Sequence, residues 1–217
     1  SGLWIVPDAG GEARLPDLKS GRSFVVATFD AATGPASYHA PIQLTAFYRL
    51  LIRLLDANPD WGMIHKCKYP SRSAGKFGGG LAGLRGLPHG TEIAAGIGRL
   101  VAQGRFSFAD PLESPATIAK RADLTVCFGI NTPGIIAGVL GKPTLHWDCA
   151  GFSRHPIYFQ PGQKILFRDL RELESAVQRA AKGDSSIGDF TSWTKYFSEF
   201  NDARGPARVG SFIQNFM

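Results

Sequence analysis

The chain is poor in cysteine, in long apolar runs and in blocks of like charge, and each scarcity removes a class of protein. Its three cysteines, Cys67, Cys127 and Cys149, are an odd number at spacings that suit neither a disulfide framework nor a zinc site. They read as buried thiols, and neither a metal nor a cofactor is expected. No uninterrupted apolar stretch approaches the ~20 residues that cross a bilayer. The opening SGLWIVPDAGG has neither the basic nor the long apolar region of a secretory signal, so a cytoplasmic chain is expected. The surplus of 24 Lys and Arg over 18 Asp and Glu, net +6, is dispersed along the chain. It favours anionic small molecules or a lipid headgroup surface, and no motif or basic run supports nucleic acid. Internal repeats and low-complexity tracts are absent as well.

What is there is a globular composition. With 44% hydrophobic and 19% charged residues, 217 residues can build one sizeable core or two small ones. SFVVATFD (23–30) is a short apolar, β-branched run ending at Asp30 and a glycine-containing turn, and so a buried strand. PIQLTAFYRLLIRLLDANPD places Leu44, Phe47, Leu50, Leu51 and Leu54 on one helical face between Pro41 and Asn58-Pro59. WGMIHKCKYP (61–70) follows as a strand with a basic tip. The glycine-dense segment from Ser71 to Pro88 keeps no periodicity and reads as a mobile loop.

Beyond it, TEIAAGIGRLVAQG is a helix and RFSFAD a strand. ESPATIAKRA opens a helix with Ser114 as cap and Pro115 in the first turn. LTVCFGI is a strand, TPGIIAGVLG a helix ended by Gly141, PTLHWD a strand, and LRELESAVQRAAKG an amphipathic helix preceded by KILFRD. Strands alternating with helices predict an α/β fold, a Rossmann-like parallel sheet with helices on both faces. The tail from Thr191 reads as helical with a break at NDARGPA. Trp193, Tyr196, Phe197 and Phe200 lie there at a spacing that suits packing. Residues 1–22 read as a polar lead-in from a preceding domain, and residues 23–217 as the domain itself.

The stretch CFGINTPGIIAGVLGKPTLHWD turns polar between two apolar runs. Asn131 and Thr132 stand where a strand meets a helix whose first N–H groups have no internal partner. Two readings follow. The pair can hold a phosphate at the helix start, with Gly134 leaving room for close approach, or it can cap the helix while Gly134 packs on the sheet. Ligands of open α/β sheets sit beyond the carboxyl ends of the strands, where HKCKYPSR, GINTPG and HWD all fall, so one crevice is expected to gather them. Lys66 and Lys68 alternate along their strand and would share a face. His146, within TLHWD, reads as a hydrogen-bonded core histidine by strand alternation, though its place beside the crevice also makes it a binding candidate.

ADLTVCFGINTPGIIAGVLGKPTLHWD resembles the donor-side signature of bacterial surface-carbohydrate (capsule and lipopolysaccharide type) glycosyltransferases of the GT-B fold. FNDARGPARVGSFI is similar to a common ending of these proteins, and IHKCKYP more loosely to a strand end in CDP-glycerol-type transferases, with Tyr69 where a histidine would stand. The resemblance implies the C-terminal, nucleotide-sugar-binding half of a metal-independent transferase in surface-polysaccharide synthesis. A glycan or lipid-linked acceptor would be held by an N-terminal domain, with peripheral membrane association of the whole enzyme. It assigns Asn131, Thr132 and Gly134 to the donor phosphate and Lys66 and Lys68 to cationic support, and leaves the catalytic group open, with Glu113 and Asp148 as candidates for it and for base or ribose contacts. Glu113 also reads as a charge balancing a helix dipole. The alternatives are a nucleotide-sugar 2-epimerase and an inert nucleotide- or glycan-binding module.

Overall fold

In a computed structural model of the chain, residues 18, 21–33, 37–68, 80–110, 112–151 and 164–194 are described. They contain six strands: β1 (Phe24–Phe29), β2 (Trp61–Lys66), β3 (Phe106–Phe108), β4 (Leu124–Phe128), β5 (Thr144–Trp147) and β6 (Leu166–Phe167). These form one parallel sheet in the order β3-β2-β1-β4-β5-β6. The helices are α1 (Pro41–Ala57), α2 (Gly80–Leu84), α3 (Gly90–Ala102), α4 (Pro115–Lys120), α5 (Thr132–Val139) and α6 (Leu170–Ala181). A 3₁₀ turn covers Thr191–Trp193.

Strand alternation decides what each face receives. On one face Val26, Met63, Val126, Leu145 and Trp147 meet the apolar stripe of α1 (Phe47, Leu50, Leu51, Leu54), with α3 and α6 beside it. On the other, Val25, Ala27, Ile64 and Cys127 pack on Ile118 and Ala122 around α4. Ile135 and Val139 of α5 share that face, with Ile165, Phe190 and Trp193. Each large apolar side chain so buried contributes about 1.5–3 kcal/mol. The result is the doubly covered α/β sheet that the alternation of elements predicts.

Local signals place the helix ends. Ser114 Oγ accepts the Thr117 N–H at 3.1 Å and Asp169 Oδ1 accepts those of Arg171 and Glu172 at 2.7 and 3.1 Å. Gly141, at φ +76°, closes α5 in a left-handed conformation.

The structure departs from the sequence reading at three places. The expected loop from Ser71 to Pro88 contains α2, because Leu81, Leu84 and Leu87 can reach the α1–α3 core from one turn of helix despite the glycines; Leu84 is 3% exposed. The part of that loop from 71 to 79 lies outside the described residues. Strand β2 ends at Lys66, so Lys68 stands beyond the ladder, and the face it was expected to share with Lys66 does not extend to it. In the tail, Trp193 is wholly buried, in keeping with the packing that its spacing suits, and Tyr196, Phe197 and Phe200 lie outside the described residues. From the lead-in, Leu18 packs into the core on the α4 face.

Candidate functional site

The strand order reverses direction between β1 and β4: β2 and β3 extend to one side of β1, and β4, β5 and β6 to the other. At such a switch point the connections leaving the two central strands part in opposite directions and open a crevice beyond their carboxyl ends. Here His39, in the β1–α1 connection, spans that gap. Its ring lies 4.7 Å from that of Phe128 at the end of β4, and its Nε2 fills the space that a side chain on Gly129 would need. Gly129 is itself in the left-handed region at φ +74°. The turn after β5 joins the same cluster. Cys149 Sγ lies 3.5 Å from His39 Nδ1, and Gln43 Nε2 donates to the Cys149 carbonyl at 3.0 Å. Burial holds His39 below its ordinary pKa against the opposing charge of Asp148, and pushes the Cys149 thiol up to about 12.

Asn131 is the N-cap of α5. Its Oδ1 accepts the Gly134 N–H at 3.0 Å, and its Nδ2 donates to the Phe128 carbonyl at 3.2 Å. Pro133 has no N–H and the Gly134 amide is engaged, so the exposed Thr132, with its amide and hydroxyl, is the donor group at this helix start. The Thr132 hydroxyl makes no hydrogen bond among the described residues. Gly134 is pressed onto the sheet, where a Cβ would stand 2.5 Å from Cys127 Sγ and against the His146 ring. His146 is fully buried, with Nδ1 3.1 Å from the Gly129 carbonyl. Asp148, 2% exposed, accepts the Gly151 N–H at 3.0 Å. Asn131, Thr132, Gly134, His146 and Asp148 therefore gather at the carboxyl ends of β4 and β5.

The other candidates form a second group at the ends of β2 and β3. Lys66 Nζ donates to the Asp110 carbonyl at 3.2 Å, and half-burial lowers its pKa against the opposing charges of Asp110 and Glu113. Glu113 pairs with Arg121 at 2.6 Å, and its side chain is 7% exposed. Its Oε2 has no hydrogen-bond partner among the described residues. Lys68 instead meets β1, through its backbone N–H on Asp30 Oδ1.

Sequence reasoning missed His39, which sits in an aperiodic loop. It also missed a buried polar cluster at the ends of β1 and β2. His65 is fully buried, with Nδ1 2.7 Å from Thr28 Oγ1 and Nε2 2.8 Å from the Tyr48 hydroxyl. Asp30 Oδ2 is 3.6 Å from the same Nε2, and the Cys67 thiol is hydrogen-bonded to His65 and Tyr48. Burial by itself would lower His65, but Cys67 and Asp30 outweigh it and raise the imidazole to about 9. Burial, reinforced by Asp30 and Cys67, pushes the Tyr48 phenol well up. The signal that could have found this cluster is the parallel register, which puts Thr28 opposite His65. A separate cavity of about 340 Å³, lined by Lys142, Pro143 and Asp189, opens at the amino-terminal end of β5, away from the crevice.

No protein-family model matches the chain, and no curated protein matches it. Solved structures do. One is a protein from Listeria monocytogenes assigned as a UDP-N-acetylglucosamine 2-epimerase, at 13% identity and TM-score 0.57 over 95% of this chain. Another is the glycotransferase of kitacinnamycin, at 17% identity and TM-score 0.55 over 97%. A third is a variant of TarM from S. aureus in complex with fondaparinux, α-GlcNAc-glycerol and UDP, at 9% identity and TM-score 0.51 over 89%. The chain spans 50%, 46% and 35% of these proteins respectively. At such identities the likeness establishes the fold, a Rossmann-like α/β domain of the kind found in GT-B proteins.

Proposed function

We propose that the chain is the nucleotide-sugar-binding domain of a glycosyltransferase acting in bacterial surface-polysaccharide synthesis. The observation that carries this reading is the β1/β4 switch point of the strand order, where His39, Gly129 and the start of α5 meet. One structural neighbour is described as a glycotransferase, and another is in complex with UDP and α-GlcNAc-glycerol. The net charge of +6 suits an anionic donor.

Transfer of a sugar from a nucleotide diphosphate leaves negative charge on the departing phosphate, and that charge must be stabilised as the bond breaks. In the proposed mechanism no metal sits at that phosphate. The Thr132 amide and hydroxyl at the positive end of α5 take one oxygen, and Asn131 fixes the geometry of the turn by capping it. Gly134 allows the helix to sit close enough to the sheet for this end to face the crevice. Lys66 and Lys68 supply longer-range positive charge, and His146 holds the Gly129 turn from beneath. Asp148, in the turn after β5, would contact ribose or base, whereas Glu113 is held by Arg121 in the group at the ends of β2 and β3. The group that activates the acceptor, a glycan or a lipid-linked sugar, would belong to another domain, whose whole enzyme would work at the inner face of a membrane. No helix among the described residues is long and apolar enough to cross one.

The Listeria neighbour favours one second reading, a nucleotide-sugar 2-epimerase. That chemistry needs carboxylates and a histidine around a single sugar ring, and the crevice offers Asp148 and His39. Calorimetry of the chain against CMP, CDP, UDP and GDP, with and without an attached sugar, tests the donor site. Binding of one nucleotide series supports it, and no heat from any of them at millimolar concentration removes it. Proton NMR of the same mixtures separates the two readings, because only an epimerase interconverts the sugar without an acceptor.

A further inference from the structure

The cluster at the ends of β1 and β2 has a donor set that the nucleotide reading does not use. We propose that Asp30 Oδ2, His65 Nε2 and Cys67 Sγ bind one divalent cation of the zinc class, with water in the fourth position. The three donor atoms already lie within 4.8 Å of one another, and the Asp30–His65 separation is 3.6 Å. Tetrahedral zinc, with bonds of about 2.0–2.3 Å, sets its donors roughly 3.3–3.8 Å apart. The imidazole and carboxylate are at that spacing, and Cys67 Sγ lies within 4.8 Å of both. A thiolate, an imidazole and a carboxylate together suit zinc rather than magnesium or calcium.

The surroundings are those a metal site needs. A ligating histidine is held by a hydrogen bond from its other nitrogen, and here His65 Nδ1 faces Thr28 Oγ1 at 2.7 Å inside the sheet. Cation binding displaces the Nε2 proton of the imidazolium to solvent, and the neutral tautomer that donates to Thr28 then offers its Nε2 lone pair beside Asp30 and Cys67. The carboxylate is braced as well. Asp30 Oδ1 accepts the Lys68 N–H, and Oδ2 lies 3.3 Å from the Tyr48 hydroxyl, which can turn from His65 to the carboxylate when a cation takes Nε2. His65 is fully buried, but the Asp30 side chain is 10% exposed and Cys67 is part-exposed, so a cation has a route in.

The three ligands stand apart from the phosphate site at the start of α5, although Lys66 and Lys68, which flank Cys67, border both. Strand β2 is two places from β4, about 10 Å at the usual strand spacing, and the cluster lies on the α1 face whereas α5 covers the other. The cation would join the end of β1 to the end of β2 and to α1. The inference therefore holds or fails independently of the sugar-nucleotide reading.

The test is cobalt titration of the tag-free, reduced chain, read by absorption, with zinc content after dialysis measured by elemental analysis. The proposal expects a single equivalent of cobalt, a thiolate-to-cobalt charge-transfer band, and displacement of both by zinc. Cys67→Ser abolishes the band, Cys149→Ala keeps it, and Thr28→Val weakens binding by about 10- to 100-fold, as expected for a residue that only orients a ligand. Absence of the band in the folded wild-type chain overturns the proposal, as does a band that survives Cys67→Ser or vanishes with Cys149→Ala. In that case the cluster is a polar tie between β1, β2 and α1, and adding zinc leaves the melting temperature unchanged.

Discussion

Thr132→Val separates the two roles that a polar residue at a helix start can have. In this fold the capping is done by Asn131, whose Oδ1 accepts the Gly134 N–H at 3.0 Å, while the Thr132 side chain is exposed. Valine keeps the shape and the β-branch and removes only the hydroxyl. Because no hydrogen bond within the described residues is lost, stability should change by no more than ~0.5 kcal/mol, the usual range for an exposed position. Donor affinity should respond differently. A hydroxyl donating to a phosphate oxygen is worth about 1.5 kcal/mol or somewhat more, which is roughly a tenfold rise in Kd.

Isothermal calorimetry with the best-binding nucleoside diphosphate, run on wild type, Thr132→Val and Thr132→Ser, reads the effect directly. The serine variant retains the hydroxyl and should bind within about twofold of wild type. Asn131→Ala is the control, since it removes a cap at a cost of about 1 kcal/mol of stability. Equal affinity of the valine and serine variants, both folded, would refute the phosphate role of Thr132. A large stability loss in Thr132→Val would show that the assignment of the cap is wrong.

Three further outcomes follow from the packing and the charges. Gly134→Ala places a methyl against Cys127 Sγ and the His146 ring, so the overpacking should exceed the gain in helix propensity and lower stability by about 1 to 2 kcal/mol in urea unfolding. Leu84→Ala empties a position 3% exposed in the α1–α3 core and should cost about 2 kcal/mol or more, whereas a mobile loop at Gly80–Leu84 would lose nothing. His39 has a folded pKa below its unfolded value of about 6.5, so the fold favours the neutral ring. Its contribution is present above about pH 6.5 and is lost as pH falls towards the depressed folded value. Subtracting a His39→Gln series from wild type should isolate that slope between about pH 7.5 and 5.5.

Most of the fold was readable from local pattern. The apolar stripe of α1, the β-branched run of β1 and the Ser114-Pro115 start of α4 each carry a signal within a few residues, and each element lies where that signal puts it. The α2 segment hid because glycines around Leu81, Leu84 and Leu87 mask a three-residue apolar spacing. The order of strands was not readable, since helical crossovers permit several orders for six parallel strands. The candidate site shows the same division. Asn131 and Gly134 stand at a strand–helix junction that the sequence displays, and the structure adds the cap and the close packing of Gly134 on the sheet. The Thr28–His65–Tyr48 network left no trace in the sequence, because its members lie 37 and 17 residues apart and meet only through strand register and helix placement.

The central place of β1 also affects how the protein emerges from the ribosome. Its Val25 amide finds the Asp123 carboxylate only 98 residues later in the chain, whereas the β2 side of the same strand is satisfied within 37. At translation rates of about 5–20 residues per second, one edge of a largely apolar strand waits roughly 5 to 20 s for its partner β4. During that interval the β1–α1–β2–α3–β3 unit can form, but it presents an open edge and an uncovered apolar face to solvent. A pause in synthesis before residue 124 would lengthen that exposure and raise the demand for a chaperone on the nascent chain, without any change in the stability of the finished fold.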